Sequence, residues 1–299
     1  FAGATTYTCL LFLEKQAQEQ FVYESVDNLE NWQRGQEYLT GLISNTTLSS
    51  EWNFVVGSGS ALFEKLRNMP VQFGQLCSRI AQGIRTSANE VYVLDQIIEQ
   101  SDLVRARSDE LQAEVDLERR LVHKFLQGRE IKAYEILHSG KIVIIPYQEE
   151  NGRYALLAEK ALRDHYPLTY GYLKLNKGVL EQRERGRMHG PHWYGYVYPK
   201  NIEIMGQPKF LVPDIADRAS FAYDIEGKYT FTSGYGITLK TDVAESPYYI
   251  LGLLNSQLLT FYLKRVSTAL RGGFFRYFTQ FIEQLPIRPI DFTNPADVA

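Results

Sequence analysis

Residues 246–278, "SPYYILGLLNSQLLTFYLKRVSTALRGGFFRYF", run from a helix signal straight into a cationic, aromatic loop. Ser246 offers an N-cap oxygen, and Pro247 sits where a missing N–H costs nothing. Ile250, Leu254, Leu258 and Phe261 recur at helical spacing and predict one buried face. The pattern then breaks. Arg271, Gly272 and Gly273 are followed by Phe274, Phe275, Arg276, Tyr277 and Phe278. Glycines let backbone approach a phosphate where a side chain would clash. Some of the rings are expected under the helix, with the arginines outward. No acidic residue lies between Glu245 and Glu283, while Lys264, Arg265, Arg271 and Arg276 do.

Outward from this stretch, the chain mixes helix and strand signals. Residues 141–147 ("KIVIIPY") and 208–215 ("PKFLVPDI") read as buried strands, and residues 74–94 as strand, turn, strand. A hairpin is expected over 220–233, turning at Glu226-Gly227. Helices are expected over 29–43, from 121 to a stop at Gly128, and over 165–183. The last has Pro167 in its first turn and Leu168, Tyr172, Leu175 and Val179 on one face. Residues 6–13 read as an interior strand, and an opening on such a strand suggests a piece of a longer protein. Residues 44–66 are rich in Ser, Thr, Asn and Gly and read as a linker. The class is α+β, with a tail plus linker over 1–67 and a second unit over 68–299.

Composition narrows the function. The chain has 299 residues, 44% hydrophobic and 22% charged, and a net charge of −3. The total hides an asymmetry: residues 1–70 hold 4 Lys and Arg against 8 Asp and Glu, and residues 156–290 hold 17 against 12. Such a field can bind a polyanion. Cys9 and Cys77 make neither a disulfide framework nor a zinc cluster, which fits a reducing cytoplasm. No apolar run is long enough to cross a bilayer, so no membrane partner is expected. The pair in "HGPH" (His189, His192) lacks a third ligand, so no metal is expected. The "GSGS" turn at 57–60 lacks a third glycine and reads as a turn before a helix. Nucleophile elbow, zinc-protease helix and P-loop motifs are absent, so no catalytic residue is assigned.

Four basic or polar patches remain. They are Arg85, Thr86, Ser87 and Asn89; Arg129 and Lys132; Arg183, Arg185 and Arg187 ahead of Trp193, Tyr194, Tyr196 and Tyr198; and Arg271 with Gly272, Gly273 and Arg276. Lys209 joins them as a further candidate. Guanidinium groups pair bidentately with phosphate or guanine, and aromatic rings stack on bases. Each patch alone also reads as a solvated loop.

The ordered series "IAQGIRTSANEVYVL", "LVHKFLQGREIKAY", "YPLTYGYL", "WYGY", "PKFLVPDIA", "YGITL", "YYILGLLNSQLLTFYL" and "RGGFFRYFTQFIEQLPI" resembles the TaqI-like C-terminal specificity domain. That domain is the target recognition part of adenine-N6 DNA methyltransferases and of fused restriction–modification enzymes, bacterial and cytoplasmic. The resemblance spans about residues 70–290, and residues 1–15 look like the last strands of the preceding catalytic domain. It implies double-stranded DNA as a partner and, in the same polypeptide, an upstream methyltransferase domain that holds S-adenosylmethionine. The family's Asn/Asp-Pro-Pro-Tyr/Phe motif, which holds the flipped adenine, is missing; "NPAD" at 294–297 lacks the second proline and the ring. The chain is therefore expected to read DNA without modifying it or binding cofactor. Two rival readings are a fragment with nuclease or methyltransferase chemistry of its own and an RNA- or protein-binding α+β domain.

Overall fold

The computed structural model describes residues 9–26, 28–36, 38–48, 52, 54–150 and 153–298. The fold is α+β. Its largest sheet has six strands in the order Tyr229–Thr232, Val122–Gln127, Lys141–Ile144, Val93–Glu99, Leu103–Ser108 and Ala113–Glu118. Every pair is antiparallel except the first, which is parallel. A four-stranded antiparallel sheet runs Ala222–Asp224, Lys209–Pro213, Gly234–Leu239, Cys77–Gln82. A small third sheet joins Ile215–Ala216, Phe274–Arg276 and Ala269–Leu270.

The chain crosses between the two large sheets at Ser233. Tyr229–Thr232 belongs to the six-stranded sheet, and Gly234–Leu239, one residue later, to the four-stranded one. Only Ser233 separates them, held at φ +53°. The turn expected at Glu226-Gly227 exists, with Gly227 at φ +65°, but the flanking strands part to different sheets and form no hairpin. A buried ion pair fixes that parting. Lys209 Nζ lies 2.7 Å from Asp224 Oδ2 and donates to the carbonyls of Met205 and Gln207. Asp224 also accepts the backbone N–H groups of Lys228 and Tyr229.

Strand Lys209–Pro213 is buried on both faces. Leu211 faces a core with Phe125, Val143 and Trp193, while Phe210 and Val212 face a second core with Phe63, Ile250 and Tyr262. The helix Ser60–Arg67, inside the stretch read as linker, stacks Phe63 on Tyr262 with centroids 5.2 Å apart.

Several expected elements differ. Residues 9–13 form no strand, and Leu10 to Leu13 are exposed; the rest of that expected strand lies outside the described residues. The helix expected over 29–43 stops at Gln33, because Gly35 turns the chain at φ +66°. Leu39–Ser44 then pairs antiparallel with Gln20–Ser25. Residues Val122–Gln127 are a strand with neighbours on both sides. Val122, Phe125 and Leu126 are buried while His123 is exposed, a spacing of three and four that also fits a helix face, so periodicity cannot separate the two.

The helix Pro167–Leu175 and its continuation bury Thr169, Tyr172, Leu173 and Leu180, leaving Leu168, Leu175 and Val179 exposed. Glu118 sets that phase. Its carboxylate accepts the N–H groups of Leu168 and Thr169, both at 2.8 Å, and docks the positive helix end on the sheet. The long helix expected after Ser246 is two helices, Pro247–Leu254 and Gln257–Val266. Asn255 breaks it: its amide donates to the Phe221 carbonyl and accepts the Phe221 N–H. Ser256 caps the restart. The buried face thereby moves to Leu259, Tyr262, Leu263 and Val266, and Leu258 turns outward.

Candidate nucleic-acid interface

The Ser233 corner joins loops that carry several of the exposed candidate cations. Gly83 N–H donates to the Gly234 carbonyl and Ile84 N–H to the Phe231 carbonyl, bringing in the Arg85 turn. Asp214 N–H donates to the Ser233 carbonyl, and the Asp214 carbonyl accepts from Tyr277, next to Arg276. A Cβ at Gly128 would stand 2.1 Å from the Ser233 carbonyl oxygen, so the Arg129 loop touches the same corner. On the other flank Arg85 bridges the backbone of Tyr198, whose ring lies 5.9 Å from the Arg187 guanidinium. Arg187, Arg85, Arg129, Arg276 and Arg271 thus belong to loops joined through one corner.

Glycine makes the corner possible. A Cβ at Gly83 would fall 2.3 Å from the Phe231 oxygen, and one at Gly234 2.5 Å from the Val212 oxygen. These contacts are backbone to backbone and no rotamer relieves them. We expect Gly128→Ala to destabilise the fold by about 1–3 kcal/mol and to weaken binding at the corner. Urea melts and binding of the variant check this; an unchanged midpoint would contradict the packing.

The sequence candidates divide sharply. Arg85, Ser87, Asn89, Arg129, Lys132, Arg185, Arg187, Arg271, Gly272 and Gly273 are exposed, and Arg276 is half-buried. Arg129, Lys132, Arg185 and Arg271 have no ion-pair partner among the described residues, whereas Arg105 and Arg119 lie against Asp116 and Glu99. Gly272 and Gly273 form the tip of the hairpin between Ala269–Leu270 and Phe274–Arg276, at φ +83° and +81°. Nothing stands within 4 Å of a Cβ on Gly273, so the tip backbone is open to a ligand. Tyr277 is buried and Phe274 is 43% exposed, the mixed burial expected for these rings. The Arg276 guanidinium lies 4.9 Å from the centre of the Phe278 ring.

Five candidates are structural instead. Arg183 is 6% exposed and donates to the carbonyls of Leu180, Thr86 and Trp193. Its backbone leaves the helix, and Glu184 and Arg185 follow in left-handed conformations that fold it inward. Trp193 and Tyr194 are 2% and 1% exposed and cannot stack on a base. Tyr194 Oη donates to the Leu157 carbonyl, and Lys177 sits over the Trp193 ring. Lys209 is committed to Asp224. Thr86 is buried, donating to Asn89 and accepting from Ala88, and so shapes the Arg85 turn.

A match to the TaqI-like C-terminal specificity domain covers residues 123–287, more than half the chain. The chain belongs to that family. Curated relatives of the specificity domain include the type II restriction enzyme and methyltransferase RM.Eco57I of Escherichia coli, 26% identical over 99% of this chain and 31% of the relative. The type II methyltransferase M.BstVI of Geobacillus stearothermophilus is 23% identical over 72% of this chain and 34% of its own. M.BanIII of Aneurinibacillus aneurinilyticus is 26% identical over 69% and 33%. The chain spans about a third of the length of these relatives.

In this specificity domain the Arg85 turn precedes the matched segment yet is bonded to it at Phe231 and Tyr198. The turn at Gly57 does not fit a nucleotide: a Cβ on Gly59 would meet the Phe261 ring at 3.2 Å and Arg265 at 3.3 Å, so side chains already fill the cradle. His189 faces Glu181 at 3.7 Å, and no metal-binding group of three or more ligands occurs among the described residues. No described helix is long and apolar enough to cross a membrane. Sequence reading missed Ser233 itself and the exposed Tyr134 and Ile136. The "GREIKAYEI" stretch held a signal for the last two. Once Val122–Gln127 is a strand, the residues after Gly128 form a loop, and apolar residues there need an explanation.

Proposed function

We propose that this chain is the sequence-specific double-stranded DNA recognition module of a restriction–modification adenine-N6 methyltransferase. The observation that carries the reading is the joining of four cation-bearing segments, the Arg85 turn, the Arg129 loop, the Arg185–Arg187 loop and the Arg271–Arg276 hairpin, around the Ser233 corner. Phosphate contacts from Arg129, Lys132 and Arg271 would set the register of the duplex. The Arg85 turn and the Arg185–Arg187 loop, rigid and presented beside them, would read base edges. A methyltransferase domain upstream in the same polypeptide would flip the adenine out of the stack, and S-adenosylmethionine bound there would supply the methyl group. The contribution of this chain is to bind and orient. A bacterial cytoplasmic setting follows from that role.

The test is competition between a labelled DNA duplex, unlabelled duplex and double-stranded RNA of matched length. DNA should displace the label far better than RNA, because the A-form major groove is too narrow for these loops. Equal competition would point to a general polyanion surface. Calorimetry with S-adenosylmethionine should show no stoichiometric binding to this chain; a micromolar isotherm would contradict the reader-only role.

A further inference from the structure

The loop between Gly128–Glu130 and Lys141–Ile144 carries a feature that cation-and-phosphate contacts do not use. Ile136 is 95% exposed and Tyr134 is 82% exposed. Exposed aliphatic side chains are common singly, but this one sits on a tip held from both sides. Tyr134, at φ +62°, donates its hydroxyl to the Asn255 carbonyl at 3.4 Å. Leu137 accepts the Tyr229 hydroxyl at 2.7 Å. Ser139 bonds the Phe125 carbonyl and accepts from the Lys141 N–H. Ile131 is buried at the loop's start. The tip is therefore a supported projection rather than a loose loop.

Its surroundings say what it meets. Arg129 and Lys132 stand at its base, exposed and without carboxylate partners. Both lie on the incoming leg of the loop and suit phosphates of one strand beside the tip. The tip itself carries exposed Glu135, whose charge repels phosphate. Cations at the base with an acid and an aliphatic group at the tip suit a loop that holds the phosphate backbone at its base and presents its end to the bases. Asn255 ties the loop to Phe221, whose ring packs at 6.0 Å against Tyr277 beside the cationic hairpin. The tip thus belongs to the same joined set of loops.

We propose that Ile136 is a wedge that enters a base step of bound duplex DNA and unstacks it, with Tyr134 as its brace. The proposal rests on the DNA reading above and adds the place where the duplex is deformed. Branched aliphatic side chains open base steps in this way, and the deformation energy depends on the step, so a wedge confers sequence preference at a position with no hydrogen bond. Flexible pyrimidine–purine steps are the expected targets.

The test uses the 299-residue chain and short duplexes that it retains from a random-sequence library. Bound duplexes are treated with permanganate and diethyl pyrocarbonate, which mark unstacked thymines and purines, and are sequenced. The wild-type chain should give hyperreactive bases at one fixed step of the retained sites. Ile136→Ala should lower that reactivity about tenfold, and Ile136→Phe should keep it. Ile136 is exposed, so neither change threatens folding; circular dichroism of each variant checks that. Retention of duplexes with no hyperreactive step, or with one indifferent to Ile136→Ala, overturns the wedge while leaving the DNA reading intact. Failure to retain any duplex overturns the DNA reading and the wedge together.

Discussion

Arg183→Ala is expected to destabilise the fold by about 3–5 kcal/mol, through the carbonyl groups it leaves without a donor in a buried site. The guanidinium joins the helix end at Leu180, the Arg85 turn at Thr86 and the aromatic segment at Trp193. It also lies 5.5 Å from the centre of the Tyr92 ring, whose hydroxyl donates to the Tyr194 carbonyl. Removing it leaves the Arg85 turn and the Arg185–Arg187 loop without their common anchor. DNA affinity should then fall for specific and scrambled duplexes alike, with a large drop in the urea midpoint. Arg183→Lys keeps the charge but not the planar fork, so it should recover only part of the loss. A variant of normal stability that loses only site-specific binding would make Arg183 a base reader and contradict its burial.

Asp224→Ala should cost about 3–5 kcal/mol as well, because it strands the Lys209 ammonium in the interior. The same carboxylate holds the Lys228 and Tyr229 N–H groups where the chain leaves one large sheet for the other. Burial lowers the Lys209 pKa and the Asp224 charge opposes that shift, so the stranded lysine sheds its proton more readily. The double change Lys209→Met with Asp224→Leu removes both charges and should recover much of the stability. It should not restore the turn contacts, so strand Tyr229–Thr232 should exchange its amides faster than in the wild type. Full protection there in the double variant would mean that the pair contributes nothing to the crossing.

Both residues show how the sequence misleads. Arg183 and Lys209 are basic residues beside aromatic ones, the pattern of a nucleic-acid surface. What separates them from Arg129 or Arg271 is a tertiary fact: the fold turns neighbouring carbonyls, the Thr86 carbonyl and the Asp224 carboxylate onto them. The strands at 141–144 and 209–213 were legible because β-rich apolar runs bounded by turn residues leave little choice. The strand Val122–Gln127 was not, because its buried residues, Val122, Phe125 and Leu126, do not alternate and fall at helical spacing. The helix from Pro167 was legible in kind but not in phase, since Glu118, some 50 residues earlier in the chain, decides which side faces in. The loop at Gly272-Gly273 was legible because adjacent glycines break a helix, but the two short strands that make it a hairpin tip were not. Ser233 carried no signal, since only the divergence of its flanking strands makes it a corner.

The salt dependence of duplex binding tests the central claim most directly. Affinities of the wild type, Arg129→Ala, Arg271→Ala, Arg187→Ala and the control Arg105→Ala are measured on specific and scrambled duplexes across a salt series. Arg129→Ala and Arg271→Ala should each weaken binding to both duplexes equally and reduce the salt slope by about one. Arg187→Ala should cost about 1–3 kcal/mol on the specific duplex only. Arg105→Ala should change nothing, because Arg105 already pairs with Asp116 on a strand that joins none of these loops. Identical slopes for the wild type, Arg129→Ala and Arg271→Ala would show that the loops around Ser233 are not where the duplex lies.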